Sequence, residues 1–258
     1  PFHPELLDWL ALRFMNEHRW SIKALIKEIV MSGTYRQQSE SSPSLHAIDP
    51  SNRLYARGPR TRLSAEQIRD QALAVAGLLS EKMYGPSVMP LQPDNVWQTV
   101  YSREKWVLSE GEDRHRRGLY TYLKRTSPYP SFMTFDASSR EVCTIRRTTT
   151  NTPLQALVTL NDPVYLEAAY HLAVQMQAQA DTESSINYGY TKALYKALDK
   201  SKEKHFQQLY EQALGEFEDD PSSLKSFLYF DEEPDANLAA LTVVASAILN
   251  LDEFITKS

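Results

Sequence analysis

Apolar residues recur at three- and four-residue intervals through most of this chain, the period of helices that bury one face. Leu6, Leu7, Leu10 and Phe14 form one such stripe, with Trp9 at its margin, and predict a helix from Pro4 to Met15. Ser21 caps a second helix, whose face holds Ile22, Leu25, Ile26, Ile29 and Val30 and which Gly33 ends. Each leaves one face uncovered when alone, so the two are expected to pack as a hairpin. A serine- and proline-rich loop follows over 38–50. Ser64-Ala65-Glu66-Gln67, bracketed by Leu63 and Ile68, then combines a capping box with a hydrophobic staple. The helix it starts is expected to reach about Ser80, with Ile68, Ala72, Val75 and Leu79 inward. Arg69 and Asp70 on this helix are neighbours that do not naturally face each other, so each is expected to have a distant structural partner.

The helical period lapses between Gly85 and Phe135. Gly85 to Asp94 is irregular, and Trp97 and Tyr101 are aromatics of the kind that pack a core edge or cover a pocket. Leu119-Tyr120-Thr121-Tyr122-Leu123 is the clearest strand candidate. Helix signals return at Thr152, an N-cap followed by Pro153 and, three residues on, by Gln155. Asn161-Asp162-Pro163 breaks that helix and starts a longer one, whose inward face is Tyr165, Ala169, Leu172 and Met176. A linker is expected at 181–185, then helices from Ile186, over 203–214 and over 222–230. A last helix over 238–249 turns Leu241, Val244, Ala245, Ile248 and Leu249 inward, and Phe254 docks behind it. The predicted fold is mainly α: one irregular multi-helix domain over 1–258 with long loops and room for one short β-hairpin. Residues 1–180 and 186–258 are its candidate subdomains.

Charge changes the picture more than composition does. With 258 residues and 42% hydrophobic content, a sizeable core is assured. The formal charge of -5 argues against general nucleic-acid binding. Yet residues 53–150 hold 16 Lys/Arg against 10 Asp/Glu, a local +6, while 199–258 hold 5 against 13, a local -8. An arginine-bearing middle is therefore expected to face an acidic tail or an anionic partner. Cys143 is the one cysteine, which excludes an internal disulfide, a haem-attachment motif and a cysteine-rich zinc site. The histidines at 3, 18, 46, 115, 171 and 205 show no ligand spacing, so no metal site is expected. His3 is assigned to a cap or loop contact and His171 to structure. No run of 18 apolar residues and no signal peptide are present. The start at Pro1 rather than methionine suggests a part of a longer polypeptide.

No nucleophile elbow, phosphate-binding glycine loop or His-Glu-x-x-His occurs. The best shared-site candidate is the polar stretch before Thr152. Arg140, Arg146 and Arg147 are placed to meet an anion beside the helix start, with Thr148, Thr149 and Thr150 adding hydroxyls. Asn151 and Gln155 would order that loop. The structural alternative pairs these arginines with Asp136 or Glu141. Arg114, His115, Arg116 and Arg117 form a secondary basic patch, or a solvated loop. Asp136 and Glu141 are the least poor acid–base candidates, which serve only if the loop folds back.

Phe135-Asp136-Ala137-Ser138-Ser139-Arg140-Glu141-Val142-Cys143, then Arg146-Arg147 and Thr150-Asn151-Thr152-Pro153-Leu154-Gln155-Ala156-Leu157, resembles the signature of the domain of unknown function 1553 family, known chiefly from planctomycete and related bacterial proteins. His3 to Ala11, Ile68-Arg69-Asp70, Leu160 to Val164 and Asn250 to Phe254 are similar to further family words. Two departures stand out: a family segment upstream of His3 is absent, and Ala197 to Ser201 occupies the place of a glycine-arginine-x-proline turn. The resemblance implies an exported protein of the periplasm or cell envelope, in which any haem belongs to a neighbouring domain. The leading expectation is a helical accessory or ligand-binding module of such a protein, binding an anionic glycan or acidic partner and contacting neighbouring domains of the same polypeptide. No cofactor in this chain, no nucleic acid and no membrane insertion are expected. The alternatives are an envelope hydrolase acting on a carbohydrate or ester, and a purely structural interdomain scaffold.

Overall fold

A computed structural model describes residues 2–94, 96, 105–229, 231 and 233–257. Trp97, Tyr101 and Phe230 lie outside the described residues. Among the described residues, twelve α-helices follow in chain order: α1 (Pro4–Asn16), α2 (Ile22–Met31), α3 (Pro43–Ile48), α4 (Ala65–Ala76), α5 (Pro130–Thr134), α6 (Pro153–Asn161), α7 (Pro163–Gln177), α8 (Thr182–Leu194), α9 (Lys200–Asp219), α10 (Pro221–Phe227), α11 (Ala236–Leu249) and α12 (Asp252–Ile255). Two two-residue strands, β1 (Thr61–Arg62) and β2 (Thr256–Lys257), pair into a small sheet. The fold is mainly helical with long loops.

The chain divides into two compact units, Pro1–Thr61 with Thr256–Ser258, and Arg62–Ile255. In the first, α1 and α2 flank an apolar groove of about 560 Å³ lined by Leu6, Trp9, Leu10, Ile29 and Met31 among others. Neither helix has a buried residue, so the hairpin is joined by charge rather than by a sealed core. Arg13 and His18 both reach Glu28, at 2.7 and 2.6 Å. His3 makes a loop contact, its Nε2 lying 2.6 Å from the Arg53 carbonyl oxygen.

In the second unit the core forms around α11. Its apolar residues run around the whole circumference, and ten of its fourteen are buried, which marks a central helix rather than an amphipathic surface one. It packs on α7, α9 and α8, while α4 packs on the far side of α7. Helix α7 before the stretch 181–185 and α8, α9 and α11 after it share one core. Asp181 instead caps α8, accepting from the Ser184 N–H at 2.8 Å, and Asp199 caps α9. The capping box at Ser64 and Gln67 forms as predicted. Helix α4 ends earlier than Ser80 because Gly77, at φ 76°, adopts the left-handed conformation that closes a helix.

The predicted strand at 119–123 is a short 3₁₀ turn over Gly118–Tyr120 followed by extended chain. Its backbone bonds to Val88, whose N–H donates to the Tyr120 carbonyl and whose carbonyl accepts from the Tyr122 N–H. Pro86 and Pro90 flank Val88 and carry no N–H, so a ladder cannot extend there.

Asp162 caps α7 by accepting from the Val164 N–H at 3.0 Å, yet it is only 6% exposed. Burial pushes its carboxyl up to about 6 against the opposing pull of the Val164 N–H and the Arg69 charge. The folded chain thus holds a proton here more tightly than the unfolded chain. Its favourable contribution is complete below the unfolded value near 4 and is lost as pH rises through about 6. Asp162→Asn keeps a good cap and removes the buried charge. The variant should gain stability relative to the parent from pH 4 to pH 7, by up to about 3 kcal/mol, in urea melts at stepped pH. Parallel pH profiles for the two proteins would contradict this account.

Candidate functional site

The walls of the candidate site are set by two neighbours on α4. Arg69 is 1% exposed and donates to the Arg116 carbonyl at 2.8 Å and the Arg114 carbonyl at 3.1 Å. Asp70 accepts from the Gly118 N–H at 2.6 Å. Both side chains thus find the distant structural partners that their spacing implied. Their heads also converge to 3.6 Å, because both reach for the same piece of backbone. At Gly118 that backbone comes so close to α4 that a Cβ would meet the Glu66 Cβ and the Phe132 ring at 3.0 Å. The segment 114–123 is therefore fixed against α4, and its two ends face different cavities.

One end meets the predicted loop. Asp136 and Arg140 both sit at φ 60°, a left-handed conformation that bends the chain back. One oxygen of Asp136 accepts from the Thr150 N–H and hydroxyl, both at 2.8 Å, and from Gln155 at 3.4 Å. Gln155 is 1% exposed and also donates to the Thr134 carbonyl at 3.0 Å. It orders the loop and has little surface left for a ligand. Arg147 pairs with neither Asp136 nor Glu141. It forms two parallel bonds to Glu66, at 2.7 and 2.9 Å. Burial pushes the Glu66 carboxyl up, but the Arg147 bonds and charge, the Glu66 backbone N–H and the Ser64 hydroxyl together leave the group below its ordinary value.

This ion pair stands between two cavities. One, of about 170 Å³, is lined by Arg62, Ser64, Gln67, Asp136, Thr148 and Thr149 among others, with Arg147. The other, of about 250 Å³, has Arg140, Arg147 and Glu66 at its polar side and Tyr129, Phe132 and Met133 on its apolar side. Arg140 has no side-chain partner among the described residues. Arg62 has no hydrogen-bond partner among them either, and burial lowers its pKa despite the charges of Asp252 and Asp136. Arg146, Asn151 and Glu141 are exposed on the loop and line neither cavity. Arg62, a cavity residue here, stood outside the sequence candidates; its one signal was the arginine-rich approach to α4.

The other end of the segment breaks up the secondary basic patch. Arg116 is 1% exposed, donates to the Pro86 carbonyl at 3.1 Å and to those of Lys82 and Tyr84, and lies over the Tyr120 ring. It is a clamp on the 82–86 loop. Arg117 is exposed. Arg114 meets Glu167 of α7 at 3.0 Å, and His115 approaches the other Glu167 oxygen at 3.3 Å. Arg114 and Glu167 border a cavity of about 620 Å³ that also takes in His171, Tyr170, Tyr229 and Asp231. Burial pushes Glu167 up, but His115 and Arg114 prevail and hold it below the usual carboxylate range. His171, assigned to structure from the sequence, is pushed down by burial. Glu167 and His171 are one helical turn apart, the spacing that puts both on one face of α7.

Among the described residues, no group of three or more His, Cys, Asp or Glu is placed to hold a metal ion. No described helix is long and apolar enough to cross a membrane. The chain is thus a mainly helical protein with polar cavities on one α4-anchored scaffold. The model of the family described as "PSD1: Protein of unknown function (DUF1553)" matches residues 1–210, and the chain belongs to that family. No curated protein and no solved structure matches it.

Removing the Arg69 guanidinium strands two carbonyls and the Asp70 carboxylate. Arg69→Met should cost about 3–5 kcal/mol in denaturant unfolding, the scale of breaking a buried charged network. A loss under about 1 kcal/mol would show that the 114–118 segment is held by other means.

Proposed function

We propose that this chain is a ligand-binding accessory module of a larger exported protein, of the planctomycete type, working in the periplasm or cell envelope. Its ligand is an acidic chain molecule such as an anionic glycan. The observation that supports this reading is the placing of Arg62 and Arg140 on either side of the Arg147–Glu66 pair, each lining a cavity and neither hydrogen-bonded to an acid among the described residues. The pair itself is neutral overall, so Arg140 leaves the larger cavity with a net positive charge.

The cavity of about 250 Å³ falls just under the span of roughly 300–1,000 Å³ usual for whole small molecules. It suits one unit of a longer ligand. A ring with an apolar face can lie against Met133 and Phe132 while its carboxylate or sulfate meets Arg140. Guanidinium suits both anions because its planar N–H groups can donate two at a time. Thr148 and Thr149 offer hydroxyls to a second unit at the smaller cavity.

Calorimetric titration with an oligogalacturonide and a sulfated galactan fragment, against neutral oligosaccharides of equal length, tests the reading. Acidic ligands should bind selectively and weaken with added salt. Arg140→Ala should reduce affinity by about tenfold or more, equivalent to about 1.4 kcal/mol. Equal binding of acidic and neutral chains, or an unchanged affinity in the variant, would remove the acidic-ligand reading.

A further inference from the structure

The cavity between the Arg114 end of the anchored segment and α7 differs in chemistry from the arginine-lined pair. We propose that it is a second and separate binding site, for an uncharged polyhydroxylated ligand such as a single unit of a neutral sugar chain. Its volume of about 620 Å³ lies within the usual small-molecule range.

Charge excludes the other ligand classes in turn. The formal charges lining the cavity are Arg114, Glu167 and Asp231, one positive and two negative. Arg114 is already held by Glu167 at 3.0 Å, so Asp231 is the charge left in excess. An anion would meet that carboxylate. A metal ion lacks its ligand set, since no three suitable side chains converge among the described residues. A purely apolar ligand would leave the His171 imidazole and the remaining acceptor sites of Asp231 unused.

A hydroxyl group satisfies what remains, because the same oxygen donates one bond and accepts two. Asp231 accepts from the Tyr170 hydroxyl at 2.7 Å through Oδ2 and from the Glu233 N–H at 3.2 Å through Oδ1, which aims the carboxylate, and the second lone pair of each oxygen leaves acceptor capacity. Neither ring nitrogen of His171 is hydrogen-bonded among the described residues, and its ring is fixed edge-on against Tyr170 at 5.4 Å between centroids. A neutral imidazole offers one donor and one acceptor, the pairing that adjacent hydroxyls present. The lowered His171 pKa keeps the imidazole in that neutral form. Tyr229, 64% exposed at the rim, supplies an aromatic face for the C–H face of a sugar ring.

The three parts of the lining come from places far apart in the sequence: Arg114, Glu167 and His171 of α7, and the pair Tyr229 and Asp231. Helix α7 is locked in the core through Leu172 and Met176, both fully buried, so the Glu167 and His171 face is presented rigidly. That suits recognition of a small, weakly held ligand, where the cost of ordering mobile side chains would consume the gain.

Saturation-transfer NMR with xylotriose, cellotriose and maltotriose, and with glucuronate as the charged comparison, tests the site. At least one neutral trisaccharide should show transfer and glucuronate should show less. Asp231→Asn should weaken the bound trisaccharide by roughly tenfold or more, the effect of losing a charged hydrogen-bond acceptor. Tyr229→Ala, at a rim position where folding is not at stake, should weaken it too, while Arg140→Ala leaves it unchanged. The proposal is overturned by no transfer from any of the three, by preference for glucuronate, or by binding that survives both Asp231→Asn and Tyr229→Ala. Since Arg140→Ala reads the arginine-lined cavities and Asp231→Asn reads this one, failure at either site is told apart from failure at the other.

Discussion

The Arg69–Asp70 pair on α4 is the constraint on which the arrangement of cavities depends. A guanidinium at 1% exposure is costly to bury unless its donors are met, and here the Arg114 and Arg116 carbonyls and the nearby Asp70 carboxylate meet them. Its Nε stays without a partner, so the compensation is incomplete. Asp70 is itself pushed up by burial, and the Gly118 N–H and Arg69 pull against that. Neither charge is comfortable alone. Each is stabilised by a backbone segment that has little regular structure of its own, and that segment gains its fixed course in return.

This division of labour explains what was legible in the sequence. Helix starts are local events, so Ser21, Ser64 and Asp162 announced α2, α4 and α7 through side chains within three residues of the N–H groups they accept from. The inward face read for α11, Leu241 to Leu249, is buried, but its burial on the other faces too is seen only in the fold. The 119–123 stretch misled because alternation describes a side-chain pattern, whereas a strand needs a partner with free N–H groups. The partner offered is Val88 between two prolines. The linker at 181–185 misled by composition: Asp181 and Asp199 are caps, and polar residues at caps read like polar residues in loops.

The candidate site was half legible. The bend that brings Asp136 to Thr150 and Gln155 spans fewer than twenty residues, and the family-like words of this stretch cover it. Arg147 was expected to meet acids nearby, yet its partner Glu66 lies 81 residues earlier. Likewise Glu167 and His171 carried the one-turn spacing of a shared face, but nothing local pointed to Arg114 or Asp231 as the opposite wall. Sequence patterns report which face of a helix is wet; they do not report which remote segment stands across from it.

The uneven charge of the chain acquires a physical meaning once these pairs are known. An acidic tail opposite a basic middle would be expected to exchange ion pairs with it. Instead Arg147 is met by Glu66 and Arg114 by Glu167, neither of them from the tail. In the tail, Glu253 takes Lys202. Asp252 reaches the middle through its charge, which raises the Arg62 pKa against the lowering by burial. Arg62 and Arg140 are the arginines of the middle that line these cavities without a hydrogen-bonded acid among the described residues. Asp231, by contrast, brings tail charge to the cavity where Arg114 is already neutralised. One short backbone stretch, held by a buried pair, thus keeps a positive cavity and a negative one apart on the same scaffold. The difference in charge between them follows from which carboxylates have basic partners in the fold.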